Sequence, residues 1–221
     1  MKKYFVIVLL FFSAQFQPAL SEKNYFYILG SKAIFSDVDY KFVGNNPGTQ
    51  EQKMEDESIL IGFGKNTDKS IFDYDLAFEI DYAPEYKGGD QGPNPCNRNN
   101  VGDCSLTYKD VINFKVLLSK QIGNLKPKFI FGISSAEIES ITNFEAVNGT
   151  TNPNKLKDKR EIAGLVGIGF DHEFSNNISI KTELTHRQFK KAEAPVWGGF
   201  RQASTDDYNL NLLSIGIKKN F

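Results

Sequence analysis

Asp73, Asp75, Glu79 and Asp81 occupy alternate positions of one short stretch, IFDYDLAFEIDY, from Ile71 to Tyr82. In an extended chain, residues two apart share a face, so these four carboxylates line one side of a strand. A row of like charges repels itself, and each charge is costly to bury unless a cation sits against it. Two kinds of chemistry are open to such a row. With facing cations it is a structural ionic network that fixes strand register. With a path through it, it is a solute route or a proton relay. Cations of suitable parity follow in Lys109 and Lys115. Pairing the two strands with residue numbers adding to about 190 sets Asp81 beside Lys109 and Asp75 beside Lys115. Farther along, Asp171 falls opposite Lys181 when Phe174 and Ile178 share a face, and Glu183 and Arg187 have the parity of Lys181.

The even positions of the same stretch, Phe72, Tyr74, Leu76, Phe78, Ile80 and Tyr82, are all large and apolar. That row is longer than the usual strand of ~5–6 residues. It suits a tilted membrane strand, which needs roughly 9–11 residues to cross the hydrocarbon. On this reading the apolar face meets acyl tails and the ionisable face turns toward a filled axis. Gly62, Gly64, Gly167 and Gly169 then supply room for long inward side chains. A one-residue slip would send Lys115 or Lys181 into lipid, at ~2–4 kcal/mol each near the midplane, so the charges specify the alignment.

Met1-Lys2-Lys3 followed by YFVIVLLFF is a charged segment and a short apolar one, and Ala19-Leu20-Ser21 places small residues before Glu22. The pattern predicts a secretory signal peptide over residues 1–21 and a single mature domain over 22–221. Loss of Lys2 and Lys3 makes the mature chain slightly more acidic than the net −1 of the whole, which disfavours nucleic acid as a partner. Cys96 and Cys104 share one polar segment with no His nearby, and in an oxidising compartment their proximity predicts a loop disulfide rather than a metal site. No metal or other cofactor is expected.

Alternating segments recur along the mature chain: Tyr25 to Phe35, Ile59 to Phe63, Ile71 to Tyr82, Ile112 to Leu118, Phe129 to Ile133, Ile162 to Phe170, Ile178 to Leu184, and a last one ending at Phe221. Short polar turns at Asn66-Thr67-Asp68, Gly123-Asn124-Leu125-Lys126 and Ser175-Asn176-Asn177 alternate with long polar loops, the latter well beyond the median of ~4–6 residues. The expectation is all-β: an eight-stranded antiparallel transmembrane β-barrel with short periplasmic turns and long extracellular loops. Eight strands leave an interior about wide enough for side chains to fill.

Two hairpins, Ile61 to Tyr82 and Gly167 to Phe189, share a Gly-x-Gly, a polar turn and an alternating strand with an inward acid. The terminal strand ends at Phe221, with Ile217, Ile215 and Leu213 at alternate positions before it. In these features the chain resembles the small outer-membrane β-barrel proteins, which include opacity-type surface proteins and the barrel halves of OmpA-like proteins. Lys219 departs from the aromatic residue usual in the family's terminal strand. The resemblance implies residence in the outer membrane of a Gram-negative bacterium, among phospholipid and lipopolysaccharide, and recognition of the Phe221 strand by the barrel-assembly machinery. It implies a non-enzymatic structural or surface-interaction role, without the peptidoglycan-binding domain of OmpA-like proteins.

The alternatives are a narrow channel or lateral route for small solutes, and an enzyme that modifies lipid A. Barrel enzymes of the latter kind use a His-Ser pair, whereas His172 is followed by Glu173-Phe174 and His186 by Arg187-Gln188. Lys155, Lys157, Lys159 and Arg160 form a basic cluster suited to lipopolysaccharide phosphates, or else a solvated loop. Trp197, Phe200 and Arg201 are of the types that anchor interfaces, so their loop is the candidate contact for a host or cell-surface ligand; packing on the barrel rim is the alternative.

Overall fold

Strict alternation leaves this chain one way to satisfy every backbone group while exposing apolar side chains, which is to close a sheet on itself. The computed structural model describes residues 24–34, 36–42, 48–54, 56–88, 104–145, 151–155, 159–175, 177–189, 192–193 and 203–221. Eight long strands form the wall: β1 (Asn24–Ala33), β2 (Glu57–Ile71), β3 (Tyr74–Gly88), β4 (Cys104–Ser119), β5 (Leu125–Glu145), β6 (Lys159–Ser175), β7 (Ile178–Phe189) and β8 (Ala203–Asn220). Each pairs antiparallel with the next, and β8 returns to β1, with Ile28 opposite Ile217, so the sheet has no open edge along the barrel. The eight-stranded antiparallel barrel expected from the alternation is the observed architecture.

The outer wall carries a continuous apolar belt. Phe78, Ile80, Phe114, Phe131, Ile168 and Ile215 are all exposed, each on the face opposite the buried residues of its strand. In water such a belt would cost far more than a folded domain can supply; against hydrocarbon it is the favourable arrangement.

Several boundaries differ from the sequence expectation. The β2–β3 turn lies at Phe72-Asp73 and not at Asn66-Thr67-Asp68, which fall inside β2 beside a register irregularity between Asn66 and Ser70. Both turn residues have positive φ, 50° and 64°, as a two-residue hairpin turn requires, although Phe is an unusual choice there. That choice hid the turn, because Phe72 continues the apolar alternation. At the next turn Gly123 supplies the positive φ, 60°, without strain.

The long loops are also partly sheet. Ser36–Phe42 pairs with Gly48–Met54 and with β8, while Thr151–Lys155 pairs with the end of β5. These segments extend the wall beyond the apolar belt at the loop end. Residues 1–21, Cys96, and Trp197, Phe200 and Arg201 lie outside the described residues; Cys104 opens β4, its side chain undescribed.

The Phe72 turn yields a test. Phe72→Asn places at this position a residue that tolerates the left-handed region, so the barrel should gain up to about 1 kcal/mol. Urea unfolding in detergent micelles would register it as a higher midpoint with unchanged slope.

Candidate functional site

Inward residues divide the lumen into two layers along its axis. The layer nearer the turns is ionic. Glu79 and Asp81 on β3, Lys115 on β4, Lys128 on β5, Asp171 on β6, Lys181, Glu183 and Arg187 on β7 and Lys218 on β8 are all buried. Alternation explains each: all but Arg187 have at least one outward apolar neighbour in their strand, and Arg187 keeps the parity of Lys181 and Glu183 between His186 and Gln188.

The pairing is dense. Lys115 Nζ lies 2.6 Å from Asp81 Oδ2 and 2.6 Å from Glu183 Oε2. Lys181 Nζ reaches Glu79 Oε1 at 2.5 Å and Glu183 Oε1 at 2.6 Å. Lys128 and Lys218 hold the two oxygens of Asp171 at 2.6 and 2.8 Å. Asn113 donates to Asp81 Oδ1 at 2.5 Å and accepts from Arg187 Nε at 3.1 Å, and so relays the carboxylate's field to the guanidinium. Arg187 also donates to Thr185 Oγ1 at 2.9 Å. Bidentate sharing of this kind offsets the desolvation that isolated buried charges would incur.

Two tyrosines complete the layer. Tyr25 donates to Glu79 Oε1 at 2.9 Å, and Tyr27 donates to Asp81 Oδ2 at 2.9 Å. Their rings lie under Lys218 and Lys181, whose Nζ atoms are 4.2 and 4.4 Å from the centroids. Across the β1–β2 ladder Tyr25 faces Gly64 and Tyr27 faces Gly62, and a Cβ on either glycine would collide with the ring. The Gly-x-Gly of β2 therefore seats aromatic rings, whereas a Cβ at Gly169 would meet the Thr182 backbone oxygen first and Lys128 Cε next, the latter at 3.0 Å.

The layer nearer the loops is apolar, contrary to the expectation of ionisable groups along the whole axis. Leu29, Leu60, Tyr86, Tyr108, Phe189 and Leu212 pack there as one buried cluster. Tyr108 and Phe189 stack with centroids 5.1 Å apart. The reason is local. Ala83 and Tyr86 are both buried, so β3 changes parity at Pro84-Glu85. Opposite, Asp110 has φ 47° and the β4–β5 register shifts between Lys109 and Ile112. This bulge turns Tyr86 and Tyr108 inward, while Val111 keeps the inward parity of Asn113 and Lys115.

The other predicted positions divide as follows. Asp73 sits exposed in the turn. Asp75 is half exposed and pairs with Lys126 at 2.8 Å, not with Lys115. The β3–β4 register sets Lys115 opposite Glu79 and Lys109 opposite Glu85, four residues from the pairing expected from sequence. Lys109 pairs instead with Glu139, away from Asp81. Asp171 and Lys181 are cross-strand neighbours, yet each makes its short ion pairs elsewhere. Arg160 is exposed and donates to Ser135 Oγ at 3.2 Å; Lys155 and Lys159 lie in strands with undescribed side chains, and Lys157 lies outside the described residues. Asn113 has the inward parity of Lys115, whereas Lys128, Lys218, Tyr25 and Tyr27 join the site without having been expected there. Lys128 beside Phe129 and Lys218 beside Ile217 have inward parity by simple alternation, which was signal enough.

Removing one partner tests the network. Lys115→Met leaves Asp81 and Glu183 undercompensated and should cost about 3–5 kcal/mol, whereas Lys109→Met, at the partly exposed pair, should cost about 1 kcal/mol or less. Heat-modifiable mobility on gels would rank the two. Gly62→Ala should destabilise through Tyr27, and Tyr27→Leu in the same chain should recover part of the loss.

No protein-family model matches the sequence, and no curated protein matches it. Among solved structures, the outer membrane protein OprG from Pseudomonas aeruginosa is similar, with a TM-score of 0.59 at 13% identity over 90% of this chain and 96% of that one. Neisserial surface protein A aligns over 91% of this chain and 98% of that one, with a TM-score of 0.49 at 15% identity. Outer Membrane Protein W of E. coli aligns over 92% and 100%, with 0.45 at 8%. At these identities the likeness speaks to architecture, and the OprG match carries it. The chain has the fold of the small outer-membrane β-barrel proteins.

Proposed function

We propose that this chain is a non-enzymatic integral barrel of the Gram-negative outer membrane, exported by a cleaved signal peptide over residues 1–21, whose closed body serves as a rigid scaffold for extracellular loops. The observation that carries the reading is the filling of the lumen. Tyr27, Lys181 and Arg187 in the ionic layer, and Tyr86, Val111 and Leu212 in the apolar one, are each at most 1% exposed. Side chains packed this closely leave no open path for a solute along the axis. Stability invested in the body and sequence length invested in the loops suit a role in envelope integrity or surface contact. On this reading lipopolysaccharide meets the basic residues Lys155, Lys157, Lys159 and Arg160. A cell-surface ligand meets the loop of Trp197, Phe200 and Arg201, and the assembly machinery reads the Phe221 strand.

Planar-bilayer recording tests the closed lumen. Reconstituted protein should add no conductance steps to the bare membrane, and liposomes containing it should not swell in small sugars. Discrete steps that vanish in Arg187→Trp would replace the scaffold with a channel. Lipid A from cells with and without the protein should give the same mass spectrum.

A further inference from the structure

Below the ionic layer the turn end of the barrel opens into a cavity of about 550 Å³, within the range of small-molecule sites at roughly 300–1,000 Å³. Its lining is unusual in composition. Asn66 on β2, Asn124 and Asn177 in two different turns, and Asn220 at the end of β8 converge on it, with Glu173 and Phe221 beside them. Two backbone bonds hold these positions: Glu173 N donates to Asn124 O at 2.9 Å, and Asn220 N donates to Asn177 O at 2.8 Å. Asn220 Oδ1 is buried without a hydrogen-bond partner among the described residues.

The charges select the ligand by sign. The two lysines that line the cavity are already engaged, Lys126 with Asp75 and Lys218 with Asp171, each at 2.8 Å. Asp171 and Glu173 balance them within the lining, which leaves no free cation to hold a phosphate or another anion among the described residues. An apolar solute would find one aromatic ring and a polar wall. Amide side chains offer a donor and an acceptor each, which matches hydroxyl and acetamido groups, and a carboxylate accepts from neighbouring hydroxyls.

We infer that this cup binds a neutral acetamido sugar, with the asparagine amides and Glu173 as its hydrogen-bonding groups and the Phe221 ring as its apolar contact. The assignment rests on the proposed orientation, in which the short turns face the periplasm and hence the acetamido-bearing glycan of the cell wall. A barrel with such a cup gains a foothold on that glycan through its own wall.

The test is calorimetric titration of the full mature chain in detergent micelles with a trimer of N-acetylglucosamine, and in parallel with a trimer of glucose. The expected result is saturable binding of the acetylated trimer, weakened roughly tenfold or more in Asn66→Ala/Asn220→Ala and in Glu173→Gln, with gel heat-modifiability unchanged. No saturable binding, equal binding of the glucose trimer, or binding indifferent to these variants overturns the assignment. Orientation is read separately: Asn177→Cys in a C96S/C104S background should resist a membrane-impermeant thiol reagent on intact cells. Labelling there overturns the scaffold's proposed orientation, while the micelle titration still judges the cup by itself.

Discussion

Burying charge inside a closed sheet is the constraint from which the rest of this molecule follows. Once the apolar residues are committed to the outer wall, alternation forces the intervening positions into a lumen cut off from water. Ionisable groups there are tolerable only if every one finds a partner, and the Lys115, Glu183, Lys181 and Glu79 cluster meets that demand by sharing each ammonium between two carboxylates. Tyrosine hydroxyls take the remaining lone pairs of Glu79 and Asp81. The glycines of β2 follow from the tyrosines, since their rings need the space a Cβ would fill. Sequence features far apart in the chain are thus consequences of a single electrostatic requirement.

The two layers of the lumen contribute differently. The ionic layer fixes register, because its geometry is met at one alignment only and a slip of one residue reverses every facing. The apolar layer, built from Leu29, Leu60, Tyr86, Tyr108, Phe189 and Leu212, is less selective but contributes the hydrophobic burial that a barrel with an outward belt otherwise forgoes. A bulge at Asp110 separates the regimes by turning large residues inward where strict alternation would have turned them out.

Facing was legible in the sequence, and register was not. The parity of Glu79, Asp81, Lys115, Asp171, Lys181 and Glu183 follows from their apolar neighbours, that of Arg187 from its distance to Glu183, and the first rule extends to Lys128 and Lys218. Register depends on where each turn sits. Phe72 in a positive-φ turn looks like one more member of an apolar row, so the β3–β4 pairing was displaced and Lys109 was assigned a partner it does not have. The inward facing of Tyr86 and Tyr108 was hidden for a related reason: a change of parity in two neighbouring strands leaves no compositional mark when both faces carry large side chains. The cup at the turn end draws on β2, two turns and β8, and so becomes visible only once the barrel is closed.

The ion pairs that cross the axis join strands distant in sequence: Lys115 on β4 meets Glu183 on β7, and Lys181 on β7 meets Glu79 on β3. A nascent barrel holding only its first four strands would carry Glu79 and Asp81 with a lone ammonium between them, and the later strands would bring their own surplus of cations. Neither half is electroneutral by itself. Each half therefore carries uncompensated charge until closure of the sheet brings the other against it.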